Sequence, residues 1–96
     1  MSQPEQIVMY GTTWCGDCRR SRRWLTENQI PFTEIDIDQD ESAAAYVRSV
    51  NDGNQVVPTI VFPDGSRLTE PSNMELALLV AQVLHITTPD AERAQA

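Results

Sequence analysis

Apolar residues along this chain come in short runs that change period, and those changes mark the elements. Ile7-Val8-Met9-Tyr10 is a continuous apolar run, the pattern of a strand covered on both faces, and Gly11 and Thr12 end it. From about Gly16 to Asn28 the spacing turns helical, with Cys18, Ser21, Trp24 and Leu25 facing inward and Arg19, Arg20, Arg23 and Glu27 outward. Pro31 breaks the chain before a second strand, Phe32 to Ile37, where Thr33, Ile35 and Ile37 alternate with Glu34 and Asp36. Asp38 or Asp40 caps a second helix that runs through Ala43-Ala44-Ala45-Tyr46-Val47 to Val50, and Asn51-Asp52-Gly53 closes it.

Thr59 to Phe62 reads as a third strand and Ser66 to Thr69 as a fourth, joined by the turn Pro63-Asp64-Gly65. Ser72 and Glu75 have the spacing of a capping box, in which each side chain satisfies the other's exposed backbone donor. The helix they open places Leu76, Leu79, Val80, Val83 and Leu84 on one face. Thr87-Thr88-Pro89 stops it, and Asp90 to Ala96 reads as a frayed tail.

The predicted order is β-α-β-α-β-β-α. A right-handed crossover makes the first two strands parallel, and the tight turn makes the last two antiparallel. The expectation is an α/β fold, a four-stranded mixed sheet with three helices. At 96 residues the chain is one domain, spanning 1–96, with its core at about 6–86 and a tail at 87–96.

Charge narrows the function. The net charge of −7 argues against a nucleic-acid partner, because neutralising phosphates needs a cationic face. No apolar run approaches the roughly 20 residues that span a bilayer, so no membrane partner is expected. Met1 to Gln6 is polar and lacks a signal-peptide pattern, which gives a cytoplasmic expectation. Nothing in the pattern demands more than a monomer. All seven basic residues are arginine, and four of them, Arg19, Arg20, Arg22 and Arg23, crowd one helix. In an acidic chain they read first as a solvated helix face beside the cysteines, and second as an attractor for an anionic partner.

The stretch TTWCGDCRRSRRW contains both cysteines, Cys15 and Cys18. In a cytoplasmic setting thiols are kept reduced, and a loop of this size staples little, so chemistry is the better reading. Cys15 falls at the junction of a buried strand and a helix, where free backbone N–H groups and the helix dipole favour a thiolate. Cys18 follows one turn later, within reach of the first sulfur; Cys15 is then the attacker and Cys18 the resolver. Asp17 opposes the thiolate by about 1 kcal/mol in a half-wet setting, similar to the gain from the helix terminus. A zinc site needs four ligands, and beyond one C-x-x-C the chain offers only His85, so no metal is expected except one bridging a dimer.

The C-x-x-C after a first strand, followed by VVPTIVF before a hairpin, resembles the glutaredoxin branch of the thioredoxin fold over about Ile7 to Leu84. The resemblance implies a cis Pro58 facing the cysteine pair, with the backbone of Val57 exposed as a short edge for a peptide-like ligand. Glutaredoxins that use glutathione commonly carry Cys-Pro-Tyr-Cys and a Gly-Gly turn after the fourth strand. Here Cys15-Gly16-Asp17-Cys18 and LTEPSNMEL stand instead.

WCGDC, SVNDGNQVVPT and DGSRLTEPS are similar to the actinobacterial mycoredoxins, which reduce mixed disulfides formed with mycothiol. The resemblance implies Cys15 as nucleophile and Cys18 as resolver or spectator. Trp14, Gly16, Asp17, Val57, Pro58, Thr69 and Glu70 would line the substrate groove, and Arg48 stands near the end of the second helix.

The function so implied is thiol–disulfide exchange on proteins carrying a low-molecular-weight thiol, mycothiol rather than glutathione. No cofactor is bound; electrons come from the reduced thiol or from a reductase. Two alternatives differ in class. One is a dithiol redoxin reduced by thioredoxin reductase, donating to ribonucleotide reductase or a peroxidase. The other is a module whose redox state gates protein binding without catalysis.

Overall fold

A computed structural model describes residues 6–95. Strand β1 (Ile7–Gly11) leads into helix α1 (Gly16–Glu27), β2 (Phe32–Asp36), α2 (Glu41–Val50), β3 (Thr59–Val61), β4 (Arg67–Thr69), α3 (Asn73–Leu84) and α4 (Pro89–Gln95). The sheet order is β2-β1-β3-β4. β1 and β2 run parallel, with Ile7 opposite Phe32, while Met9 pairs antiparallel with Ile60 and Ile60 with Leu68.

Period-two alternation divides β1 between two cores. Ile7 and Met9 join Ile60 and Phe62 against Trp24 and Leu25 of α1 and Leu76, Ala77 and Val80 of α3. Among the described residues the other face is covered by one helix, α2, through Ala43, Ala44 and Val47, with Tyr10, Ile35, Ile37 and Val57 in the same cluster. One helix covers less than several do, so Val8 and Tyr10 are half-buried where the apolar run implied full cover.

Local capping follows the sequence closely. Asp40 accepts the Ala43 N–H at 3.0 Å, and Ser72 and Glu75 form the reciprocal capping box of α3. Gly65 (φ 92) closes the β3–β4 turn, as a glycine can without a Cβ penalty.

Within the stretch expected as a tail, residues 89–95 form a further helix, so the described residues hold four helices where the sequence reading expected three. α3 ends earlier, at Leu84, with His85 at φ 59 as its left-handed cap. Thr88 and Pro89 then open a helix instead of closing one. Proline suits a first helical position, where its missing N–H is lost anyway. The Thr88 carbonyl accepts the Glu92 N–H at 3.0 Å. Ala91 is fully buried in the main core. The buried indole N–H of Trp24 donates to Asp90 Oδ2 at 2.5 Å, tying α4 to α1.

Asp90→Ala leaves that indole donor without its charged acceptor. The expected cost is about 1.5–2 kcal/mol, the range for hydrogen bonds to charged groups. Urea unfolding of the variant checks it, with Glu92→Ala as an exposed control on the same helix; an unchanged midpoint for Asp90→Ala would refute the docking of α4.

Candidate active site

Cys15 is the N-cap of α1, in extended backbone (φ −82, ψ 121). Serine, threonine and aspartate usually cap because their side chains accept an orphan N–H. Here a sulfur does so: Cys15 Sγ accepts the Cys18 backbone N–H at 3.1 Å and lies 3.7 Å from the Val57 carbonyl oxygen. A donor aimed at sulfur, at the positive end of a helix, stabilises negative charge developing there.

The two cysteines differ in setting. Both are free thiols, but Cys15 keeps 7% of its surface and Cys18 none. Burial pushes the Cys18 thiol up to about 12, and the neighbouring Cys15 sulfur adds to the rise. The Thr12 backbone N–H and the Arg22 charge pull the other way and do not offset it.

Cys18 also presses on the end of β1: a Cβ built on Gly11 would stand 2.9 Å from Cys18 Sγ. Only a residue with no side chain fits there without a shift. Among the described residues, no three His, Cys, Asp or Glu side chains converge as metal ligands.

An open groove of about 570 Å³ passes over Cys15. It brings together Trp14, Cys15, Gly16, Asp17, Val57 and Glu70 of the expected set. Trp14 stands 68% exposed at the rim, with its indole N–H donating to Asp38 Oδ2 at 2.9 Å. Asp17 Oδ1 pairs with Arg20 Nη1 at 3.0 Å in a half-exposed i,i+3 ion pair. The second Arg20 nitrogen donates to the Pro71 carbonyl at 3.1 Å.

Two expected residues are not on the groove wall. Pro58, joined to Val57 by a cis bond, is buried, and its carbonyl accepts the Glu70 N–H at 2.9 Å. Glu70 is thereby held at φ 49 on the rim. The Thr69 hydroxyl donates to Asn51 Oδ1 at 3.0 Å, and Asn51 in turn donates to Thr59 Oγ1 at 3.1 Å. Thr69 thus braces β4 against the end of α2.

Gln55 and Val56 line the groove and had escaped the sequence reading. Adjacency to Val57 was the available signal. Arg48 bonds Glu41 Oε1 at 2.7 Å and also Gln55 Oε1, so it steadies a groove residue from behind.

A cap sulfur open to a groove, with a second thiol buried behind it, is an arrangement for disulfide exchange. The glutaredoxin family model matches residues 7–67. The chain belongs to the glutaredoxin family. It is 44% identical over 77 residues to a protein of Mycobacterium tuberculosis strain H37Rv provisionally named as a glutaredoxin, covering 80% of this chain and 92% of that one. It is 41% identical over 70 residues to mycoredoxin 1 of Corynebacterium glutamicum, covering 73% and 86%. A crystal structure of a mutant thioredoxin-like protein superposes with a TM-score of 0.70 at 24% identity, over 86% of this chain and 99% of that one.

The thioredoxin-like fold expected from the sequence is thus the observed one. Glutaredoxins and mycoredoxins are thiol–disulfide oxidoreductases, and this is the chemistry of the chain. The family draws its electrons from a thiol donor. Among the described residues, no helix is long and apolar enough to cross a membrane.

Proposed function

We propose that the chain reduces mixed disulfides between cytoplasmic proteins and mycothiol, using Cys15 alone as the attacking sulfur. The observation that carries this reading is the asymmetry of the pair. Cys15 opens to the groove, whereas Cys18 is sealed against Gly11 as a neutral thiol.

The steps balance as thiol exchange. Cys15 thiolate attacks the mycothiol sulfur of the mixed disulfide; a bond from Cys15 Sγ to that sulfur forms, and the protein sulfur leaves as a thiolate that takes a proton from water. A second mycothiol thiolate then attacks the mycothiol sulfur held on Cys15. The symmetric disulfide departs, and Cys15 regains its thiolate. One mycothiol is oxidised for each protein thiol freed.

The groove residues bind and orient in this scheme. Trp14 and Val57 wall the small thiol, Glu70 and the Pro58 carbonyl fix the rim, and the Cys18 N–H steadies the leaving Cys15 sulfur. Preference for mycothiol over glutathione is supported by the similarity to mycoredoxin 1 and by Thr69-Glu70-Pro71 standing where a Gly-Gly turn holds glutathione in relatives. The protein acts as a monomer.

The test is steady-state reduction of a protein mixed disulfide, driven in parallel by mycothiol with its reductase, glutathione with its reductase, and thioredoxin reductase. Turnover is expected with the mycothiol system and at most weakly with glutathione. Turnover with thioredoxin reductase alone would sink the reading and move the chain to the dithiol electron donors. Absence of exchange in every system, with binding in one redox form only, would leave a redox-gated binding module.

A further inference from the structure

The arginine run of α1 takes no part in the exchange steps, and its four members are not equivalent. Arg22 is held by Glu34 of β2, at 2.8 Å through its Nε. Arg20 is held by Asp17 and the Pro71 carbonyl. Arg23 touches Glu27 only loosely, at 3.5 Å with both side chains exposed. Arg19 has no carboxylate or carbonyl partner among the described residues. Its Nη2 folds back to 3.8 Å from the point where a Cβ on Gly16 would stand, beside the Cys15 cap.

Gly16 belongs to two grooves. One is the groove over Cys15; the other, of about 720 Å³, runs down the outer face of α1 past Arg19, Arg23 and Thr26 to Glu27. The two therefore meet at Gly16. Arg19 and Arg23 lie four residues apart on one helix face, about 6 Å along the axis.

In a chain carrying 14 acidic and seven basic residues, a stripe with one unpaired and one loosely held guanidinium is an exception to the prevailing field. An acidic partner is repelled by most of this surface and accepted along that stripe, so charge sets its orientation. Guanidinium forks also match carboxylates in geometry.

We propose that the Arg19–Arg23 groove docks an acidic segment of the thiolated protein, laid along α1 while its cysteine meets Cys15. Arg23 lies eight residues down the helix from Cys15, about 12 Å, which an extended peptide spans in about four residues. The carboxylates recognised are thus those about two to four residues from the substrate cysteine. The inference rests on Cys15 being the sulfur that meets the protein disulfide; it does not depend on which small thiol is the donor.

The experiment measures single-turnover rates of the reduced Cys18→Ser protein with three peptides, each carrying one cysteine disulfide-linked to 2-mercaptoethanol. They differ only in having Asp and Glu, Asn and Gln, or Lys two to four residues from that cysteine. The acidic peptide is expected to react about fivefold faster than the neutral one, as two exposed ion pairs allow, and the lysine peptide slowest. The preference should vanish in 0.5 M salt.

Adding Arg19→Gln with Arg23→Gln should level the three rates, and Arg19→Glu with Arg23→Glu should reverse their order. The rate with 2-hydroxyethyl disulfide should stay the same in all. Equal rates for acidic and neutral peptides in the starting protein would overturn the proposal. So would a preference that survives both double variants, or an equal slowing with 2-hydroxyethyl disulfide, which would put the arginines in the sulfur chemistry itself. Mycothiol is absent from these reactions, so failure of the mycothiol reading appears in the coupled assay and leaves these ratios unaffected.

Discussion

Cys15→Ser is expected to reduce turnover to the background of uncatalysed exchange, a loss on the order of a thousandfold or more. A hydroxyl can take the cap position, and serine is a good N-cap, so the fold should persist. What disappears is the only sulfur that opens to the groove among the described residues. Cys18→Ser should behave differently in the mycothiol-coupled assay, staying within about threefold of the unmodified chain, or ~0.7 kcal/mol of barrier.

The reason is the buried setting of Cys18, whose thiol is pushed up to about 12. A thiol whose pKa is raised stays neutral around pH 7, so Cys18 is a poor nucleophile there and gains thiolate only as the pH rises. Any route that needs Cys18 to attack should therefore accelerate as the pH rises from 7 to 10. A Cys18→Ser protein without turnover, or a flat pH profile for intramolecular disulfide closure, would contradict the assignment.

The second large effect lies one strand away. Gly11→Ala should cost about 1–3 kcal/mol, the range for overpacking a filled core. In a domain of this size that lowers the melting temperature by roughly 5–15 °C. The added methyl would meet Cys18 Sγ at 2.9 Å and Cys18 Cβ at 3.4 Å, inside ordinary contact distance. Gly11 is not among the positive-φ glycines, so the backbone itself accepts alanine. The cost is then contact alone.

Removing the sulfur should remove that cost. In a Cys18→Ala background, Gly11→Ala is expected to be nearly neutral, giving a coupling of about 1 kcal/mol or more. Urea unfolding of the four proteins completes the cycle, and additive effects would show that the contact does not exist.

Elements whose signals are local were legible in the sequence. The run Ile7 to Tyr10, the Pro63-Asp64-Gly65 turn and the Ser72–Glu75 box each specify their structure within a few residues. α4 was not legible, because among the described residues its apolar docking rests on Ala91, and its polar anchor, Trp24 to Asp90, spans 66 positions. No periodicity within seven residues can report such a partner.

The site divides the same way. Trp14, Cys15, Asp17 and Cys18 are neighbours in sequence, so their proximity needed no fold. Val57 and Glu70 entered through resemblance to a family. The tether from Asp38 to Trp14, the brace from Arg48 to Gln55 and the pressure of Gly11 on Cys18 join distant segments, and only the fold brings them together. The ion pair of Asp17 with Arg20, at i,i+3, is a site contact that helical spacing alone could have signalled.

The two tryptophans end up in opposite surroundings, Trp24 at 4% exposure beneath α4 and Trp14 at 68% on the groove rim. Optically they form separate channels. Emission from the exposed indole is open to quenchers in water and to whatever enters the groove, while emission from the buried one follows the integrity of the α1–α4 junction. Occupancy of the site and unfolding of the domain are thus separable in the chain's own fluorescence, without any attached dye.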